Sequence, residues 1–222
     1  MENNWVWLVA GAVIGWVGTQ FGTLVKDVLR RYLLKRAIVS ELRQLHEESR
    51  RVWTSLARTL QIHSLGGVDP SLPLPLSNRA YAGHYDDALL VFTRVQRTAM
   101  ALVHKYVDEV NLGIEDLRAS IKQLNDSHHR QEYDGPGFER FGLRLQAVMG
   151  NAAEVLWLTN YYMTRPEFPV LEADSPELEA YQKYVDSYRD ECKSIIASVT
   201  GLTREDFEHA YRPARPPGPG SG

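Results

Sequence analysis

Cysteine is almost missing: there is one, Cys192, in 222 residues. A single thiol forms no internal disulfide and no cysteine-based zinc site, so the fold rests on its own core rather than on cross-links. A large charge imbalance is also missing. The formal net charge is -3, without the broad basic footprint of a nucleic-acid binder, and no nucleic-acid partner is expected. There is no strand-like alternation of useful length, no repeat of solenoid period, no glycine-rich phosphate loop, no nucleophile elbow, no HExxH and no EF-hand pattern.

The most informative absence is local. Residues 5–25, WVWLVAGAVIGWVGTQFGTLV, contain no charged side chain. As a helix they reach roughly 31 Å, about one hydrocarbon core. No basic segment precedes the stretch and no small-x-small cleavage site follows it, so the pattern reads as an uncleaved transmembrane helix rather than a signal peptide. Trp5 and Trp7 fall at one interface and Tyr32 near the other. Directly after the stretch come Lys26, Arg30, Arg31, Lys35 and Arg36 against one acid, Asp27. Positive-inside bias then places residues 1–4 outside the cell and the rest in the cytoplasm, a single pass through the inner membrane, with the five cations on lipid headgroups.

Within the stretch, Gly11, Gly15, Gly18 and Gly22 are spaced 4, 3 and 4. At a helical period they lie within roughly 60° of one another. Two GxxxG steps on one face let a neighbouring backbone approach closely, which predicts a homo-oligomer or a docked partner helix.

The remainder reads as helices separated by breakers. Residues 26–64 lack proline and glycine and carry Ile38, Leu42, Leu45, Val52, Leu56 and Leu60 near a 3-4 repeat. Gly66-Gly67 end this helix, and 65–77, with prolines 70, 73 and 75, form a linker. A second helix is expected from Ser77 or Asn78 to about Asn125, with Phe92, Val95, Ala99, Leu102, Tyr106, Val110, Leu117, Ile121 and Leu124 along its seam and Gly113 as a possible bend. A polar turn over 126–137 follows. Phe138, Phe141, Leu145, Val148, Ala152, Val155 and Tyr162 then trace a third helix to about Thr164, and Arg165–Asp174 is a loop. Ser175-Pro176-Glu177 is a strong helix start, opening a fourth helix that Gly201 breaks; Thr203-x-x-Asp206 resembles a further capping box. From 212 onward the Pro/Gly-rich tail is expected to be disordered.

The expected fold is thus all-α: one N-terminal transmembrane helix continuing into a cytoplasmic antiparallel bundle of about four helices, with 78–211 completing the bundle. Up-and-down packing would return the polar turn toward the membrane and leave the proline linker at the far end.

Chemistry is sparse. His128-His129 lack partners at metal-ligand spacing, and His104 with Asp108 is a common surface pairing at i, i+4. Cys192 falls on a seam and reads as a buried, inert thiol. No catalytic residue, metal or cofactor is assigned. The sharpest candidate is aromatic: Trp157, Tyr161, Tyr181, Tyr184 and Tyr188, with Arg189 and Lys193 nearby, as a groove for a partner or small ligand. These features imply a non-enzymatic membrane-anchored interaction or sensor protein, with an unidentified cytoplasmic protein or small ligand as partner. The second reading is a bacterial membrane effector, as in phage defence, whose clustered spans disturb the bilayer on a cytoplasmic signal. An anchored hydrolase using His104 or the His128-His129 turn ranks last.

Overall fold

A computed structural model describes residues 4–130, 134–165 and 171–199 with positions 132, 169, 201 and 203, and their side chains except those of 4–11, 14, 85, 88 and 89. Six helices follow in order: α1 (Asn4–Ser64), α2 (Arg79–Gly83), α3 (Tyr85–Val91), α4 (Arg94–His129), α5 (Gly135–Thr164) and α6 (Pro176–Ser198). No strand occurs among the described residues, and the molecule is an all-helical bundle.

α1 runs without a break from the uncharged stretch into the core. It stops where the backbone must turn left-handed, at Gly66 with φ 78°, and the Gly67 amide donates back to the Ile62 carbonyl. Its seam residues Ile38, Leu42, Leu45, Val52, Leu56 and Leu60 are all buried. They pack against α5, the central helix, on which Phe141, Leu145, Val148, Met149, Ala152 and Val155 are buried in turn. Asp134 and Pro136 start α5, the Asp134 carboxylate accepting from the Gly137 amide at 2.8 Å. Ser175 caps α6 as expected, accepting from the Leu178 amide at 3.1 Å.

The expected second helix is three. Chain direction changes at His84 and again at Phe92-Thr93, and α4 opens with a reciprocal capping box between Thr93 and Gln96. Gly113 does not bend α4; it lies inside a continuous helix where a Cβ would stand 2.3 Å from Val148 Cγ2, so it lets α4 and α5 cross closely. Of the expected seam, Phe92, Ala99, Val110, Leu117 and Ile121 are buried, Leu102, Tyr106 and Leu124 only partly, and Val95 is exposed; Met100, Val103, Val107 and Ile114 complete the buried face.

The up-and-down expectation is corrected by the linker. Residues 67–78 are outside any helix and run between α1 and α4, bonded to both. Asn111 on α4 brackets Leu76, accepting from its amide at 2.7 Å and donating to its carbonyl at 3.0 Å. Arg118 donates to the Pro73 carbonyl, and Glu48 on α1 accepts from the Ser77 amide. At the end of this path the buried Glu41 carboxylate accepts from the Ala80 and Tyr81 amides, capping α2 with a side chain from another helix. Twelve extended residues reach roughly 40 Å, enough to retrace the roughly 35 Å of α1 between Glu41 and Ser64.

Consequently α1 and α4 are parallel. α5 is antiparallel to both, pairing His63 with Phe138 at one end and His46 with Thr159 at the other. α6 is antiparallel to α5 and reaches Gln61 through Ser198. The polar turn therefore lies beside His63 at the C-terminal end of α1, not toward its uncharged stretch.

Below the body, α1 stands clear. From Ala12 to Leu33 every described side chain is exposed, and ten large apolar ones, from Val13 to Leu33, are 50 to 68% exposed. Among the described residues no helix is long and apolar enough to cross a membrane. The backbone of 5–25 is helical throughout, within α1, while the side chains of 4–11 and 14, Trp5 and Trp7 included, lie outside the described set. Asp206 and the tail from 212 also lie outside the described residues.

Candidate functional site

The aromatic candidates converge on the α5–α6 interface but divide into two groups. On α5, Gln146, Gly150, Glu154, Trp157 and Tyr161 recur at steps of four or three and share a face; on α6, Tyr181, Tyr184, Tyr188 and Cys192 do the same. Between the helices lies a cleft of about 550 Å³. Tyr184 and Tyr188 line it, with Gln146, Asn151 and Glu154 opposite and Arg189 and Lys193 at its rim. Gly150 makes room for Tyr188, whose ring would be 3.4 Å from an added Cβ. The Tyr188 hydroxyl donates to the Gln146 carbonyl at 2.7 Å.

Trp157, Tyr161 and Tyr181 do not line the cleft. They close its end. Trp157 meets Tyr181 edge-on at 5.1 Å and Tyr161 at 5.4 Å between ring centroids. Arg165 lies over the Tyr161 ring at 4.7 Å and donates to its hydroxyl at 3.0 Å, while that hydroxyl donates to Glu177. The Tyr181 hydroxyl donates to Glu154 and sits 3.1 Å from the Tyr106 hydroxyl of α4. Glu154 and Tyr106 are members of this network that sequence reading missed; the i, i+4 relation of Gln146, Gly150 and Glu154 on a helix rich in apolar residues was the available signal.

Burial pushes the Tyr181, Tyr184 and Tyr188 hydroxyls above the usual tyrosine range, and the Glu154 carboxylate adds to this for Tyr181 and Tyr184. Burial likewise raises the Cys192 thiol, so it stays protonated near neutrality. Arg189 and Lys193 are exposed and tied to Asp186 and Asp190 on their own helix. The cleft thus offers tyrosine faces, side-chain amides and one carboxylate.

The other candidates fall elsewhere. His104 and Asp108 do not pair: His104 is buried against Tyr81, rings parallel at 3.8 Å, whereas Asp108 is exposed and accepts from Asn78. His128 and His129 are exposed at the end of α4, and no group of three metal-ligating side chains occurs among the described residues. Lys26, Arg30, Arg31, Lys35 and Arg36 are all exposed, with Arg30 bonded to Asp87 of α3 at 2.7 Å. A Cβ on Gly15, Gly18 or Gly22 would meet nothing within 4 Å. Comparison with known proteins gave no match, whether with family models, curated proteins or solved structures.

Proposed function

We propose that this chain is a single-pass membrane protein of the interaction or sensor class, without catalysis of its own. Its residues 5–25 span the bilayer, Lys26 to Arg36 rest on the cytoplasmic headgroups, and the helical body faces the cytoplasm. Copies associate through Gly11, Gly15, Gly18 and Gly22, and the α5–α6 cleft receives a cytoplasmic partner segment or small ligand. The observation that carries this reading is the contrast along α1: apolar side chains up to Leu33 are more than half exposed or nearly so, while Ile38, Leu42 and Leu45 are at most 1% exposed. An uncovered apolar stretch of this kind favours a covering environment, and the cations beside it favour anionic headgroups as its boundary.

Fractionation tests it. The full chain is expected in the membrane pellet and released by detergent but not by high salt; recovery in the supernatant without detergent would end the proposal. Chemical cross-linking of the full chain is expected to give dimers or higher species that fall with Gly15→Leu/Gly18→Leu.

The unbroken run of α1 from the uncharged stretch into the core favours a second reading, the membrane effector, because a change in bundle packing is transmitted along one rigid rod. Induced expression with a dye-entry assay separates the two: retained membrane integrity under stimulation would leave the sensor reading alone.

A further inference from the structure

The way α1 divides its circumference fixes how two copies can meet. Ile38, Leu42, Leu45, Leu56 and Leu60 are buried and mark the face that carries the body. Counted at a helical period, Ile38, Leu45 and Leu56 lie roughly 150–170° around the axis from the middle of the glycine stripe. Ser40 and Glu47, which fall in line with the glycines, are exposed. The flank at Arg30 is taken by α3, through the Asp87 bond at 2.7 Å and an open cleft of about 460 Å³ beside it. The stripe therefore runs up the back of the rod, opposite the body.

It does not stop at Gly22. Spacings of 4, 3 and 4 are those of a heptad seam, in which two helices coil left-handed and stay in contact along their length. One heptad on from Gly18 and Gly22 stand Val25 and Leu29, and one heptad on from Val25 stands Tyr32. These three are 50, 54 and 60% exposed, and Leu29 and Tyr32 lie past the uncharged stretch, beyond Lys26. The next seam position is Arg36, also exposed, which would meet its own copy and so ends the apolar contact. Lys26 lies beside the seam, where anionic headgroups offset its charge.

We propose that two copies join back to back, as a parallel two-fold pair in which Val25, Leu29 and Tyr32 of one pack on the same residues of the other. The bodies then lie on the two outer sides. The proposal rests on the membrane reading and the glycine association above, and adds to them a cytoplasmic contact, an orientation and a number. A second copy fits because a stripe in register with itself is self-complementary about a two-fold axis. The back of α1 also leaves room for it. A copy approaching through Gln20 and Leu24, which share the face of Ile38 and Leu42, would bring both bodies into one space. Two-fold closure uses up the stripe, so assembly stops at the dimer.

The test is oxidative cross-linking of single cysteines in the full chain, in membranes, on a Cys192→Ala background. Leu29→Cys and Tyr32→Cys are expected to give a disulfide-linked dimer and nothing larger. Leu24→Cys and Arg31→Cys, on the side of the body, should give about tenfold less, since their Cβ atoms point apart. Leu29→Ser/Tyr32→Ser should weaken association about tenfold, read by energy transfer between labelled copies in vesicles, and leave the melt of the body unchanged. Stronger cross-linking at Leu24 or Arg31 than at Leu29, a ladder beyond the dimer, or association indifferent to Leu29→Ser/Tyr32→Ser would each overturn the arrangement. Failure of the underlying readings looks different. A chain that does not float with vesicles ends the membrane reading, and one that floats but stays monomeric ends the glycine association. A dimer lost with Gly15→Leu/Gly18→Leu yet silent at Leu29→Cys and Tyr32→Cys overturns the contact proposed here and leaves both readings standing.

Discussion

His104 is the most unusual side chain in the body. It is buried, stacked on Tyr81, and neither ring nitrogen has a hydrogen-bond partner among the described residues. Desolvation pushes its pKa down to about 4 from 6.5. Above pH 6.5 the ring is neutral in folded and unfolded chains alike and contributes no pH dependence. Below that, the unfolded chain binds a proton that the folded chain refuses until about pH 4. Stability should therefore fall by about 3 kcal/mol across that window from this residue alone. His104→Phe, which keeps the stack and removes the titration, is expected to flatten the curve; thermal melts at pH 7 and pH 5 compare the two. Gly113 gives a second residue-scale prediction. Gly113→Ala drives a Cβ against Val148 and should cost about 1–3 kcal/mol despite the better helix propensity of alanine. Val148→Ala should cost less in that background than alone, a coupling that a double-mutant cycle by urea unfolding measures.

At the scale of elements, the linker decides the topology. Asn111→Ala removes both bonds to Leu76 and is expected to cost about 1–3 kcal/mol in urea unfolding, more than a surface asparagine would. The seams of α1 and α5 and the Ser175 start of α6 could be read from the chain, because each rests on spacing or capping chemistry within a few residues. The division of the second helix could not be read from breakers, since neither His84 nor Phe92-Thr93 carries a proline. It depends on Glu41, about forty positions away, satisfying the amides of α2. Thr93-x-x-Gln96 was nonetheless a local capping signal available to inspection. The tyrosine groove was half legible. Residue types and faces followed from periodicity, but which rings plug and which line depends on how α6 registers against α5, set by Tyr181 on Glu154 and Tyr188 on Gln146.

At the scale of the whole molecule, α1 joins two regions with different needs. The core begins at Leu34 and Ile38, and the exposed part from Ala12 to Leu33 shares with the body the Arg30–Asp87 pair and the open cleft beside it. An exposed pair of this kind contributes about 0–1 kcal/mol. Deleting residues 1–25 is therefore expected to leave the helical body folded, with its unfolding free energy changed by less than about 1 kcal/mol, while abolishing vesicle flotation; circular dichroism melts and flotation check the two halves.

The parallel course of α1 and α6 carries a practical corollary. Val199 closes α6 beside the last turns of α1, roughly 38 Å along the rod from Arg36. With α1 anchored as proposed, a dye attached near position 199 would sit at a defined height above a fluorescent lipid layer. Energy transfer between the two would read whether the rod stands upright or leans.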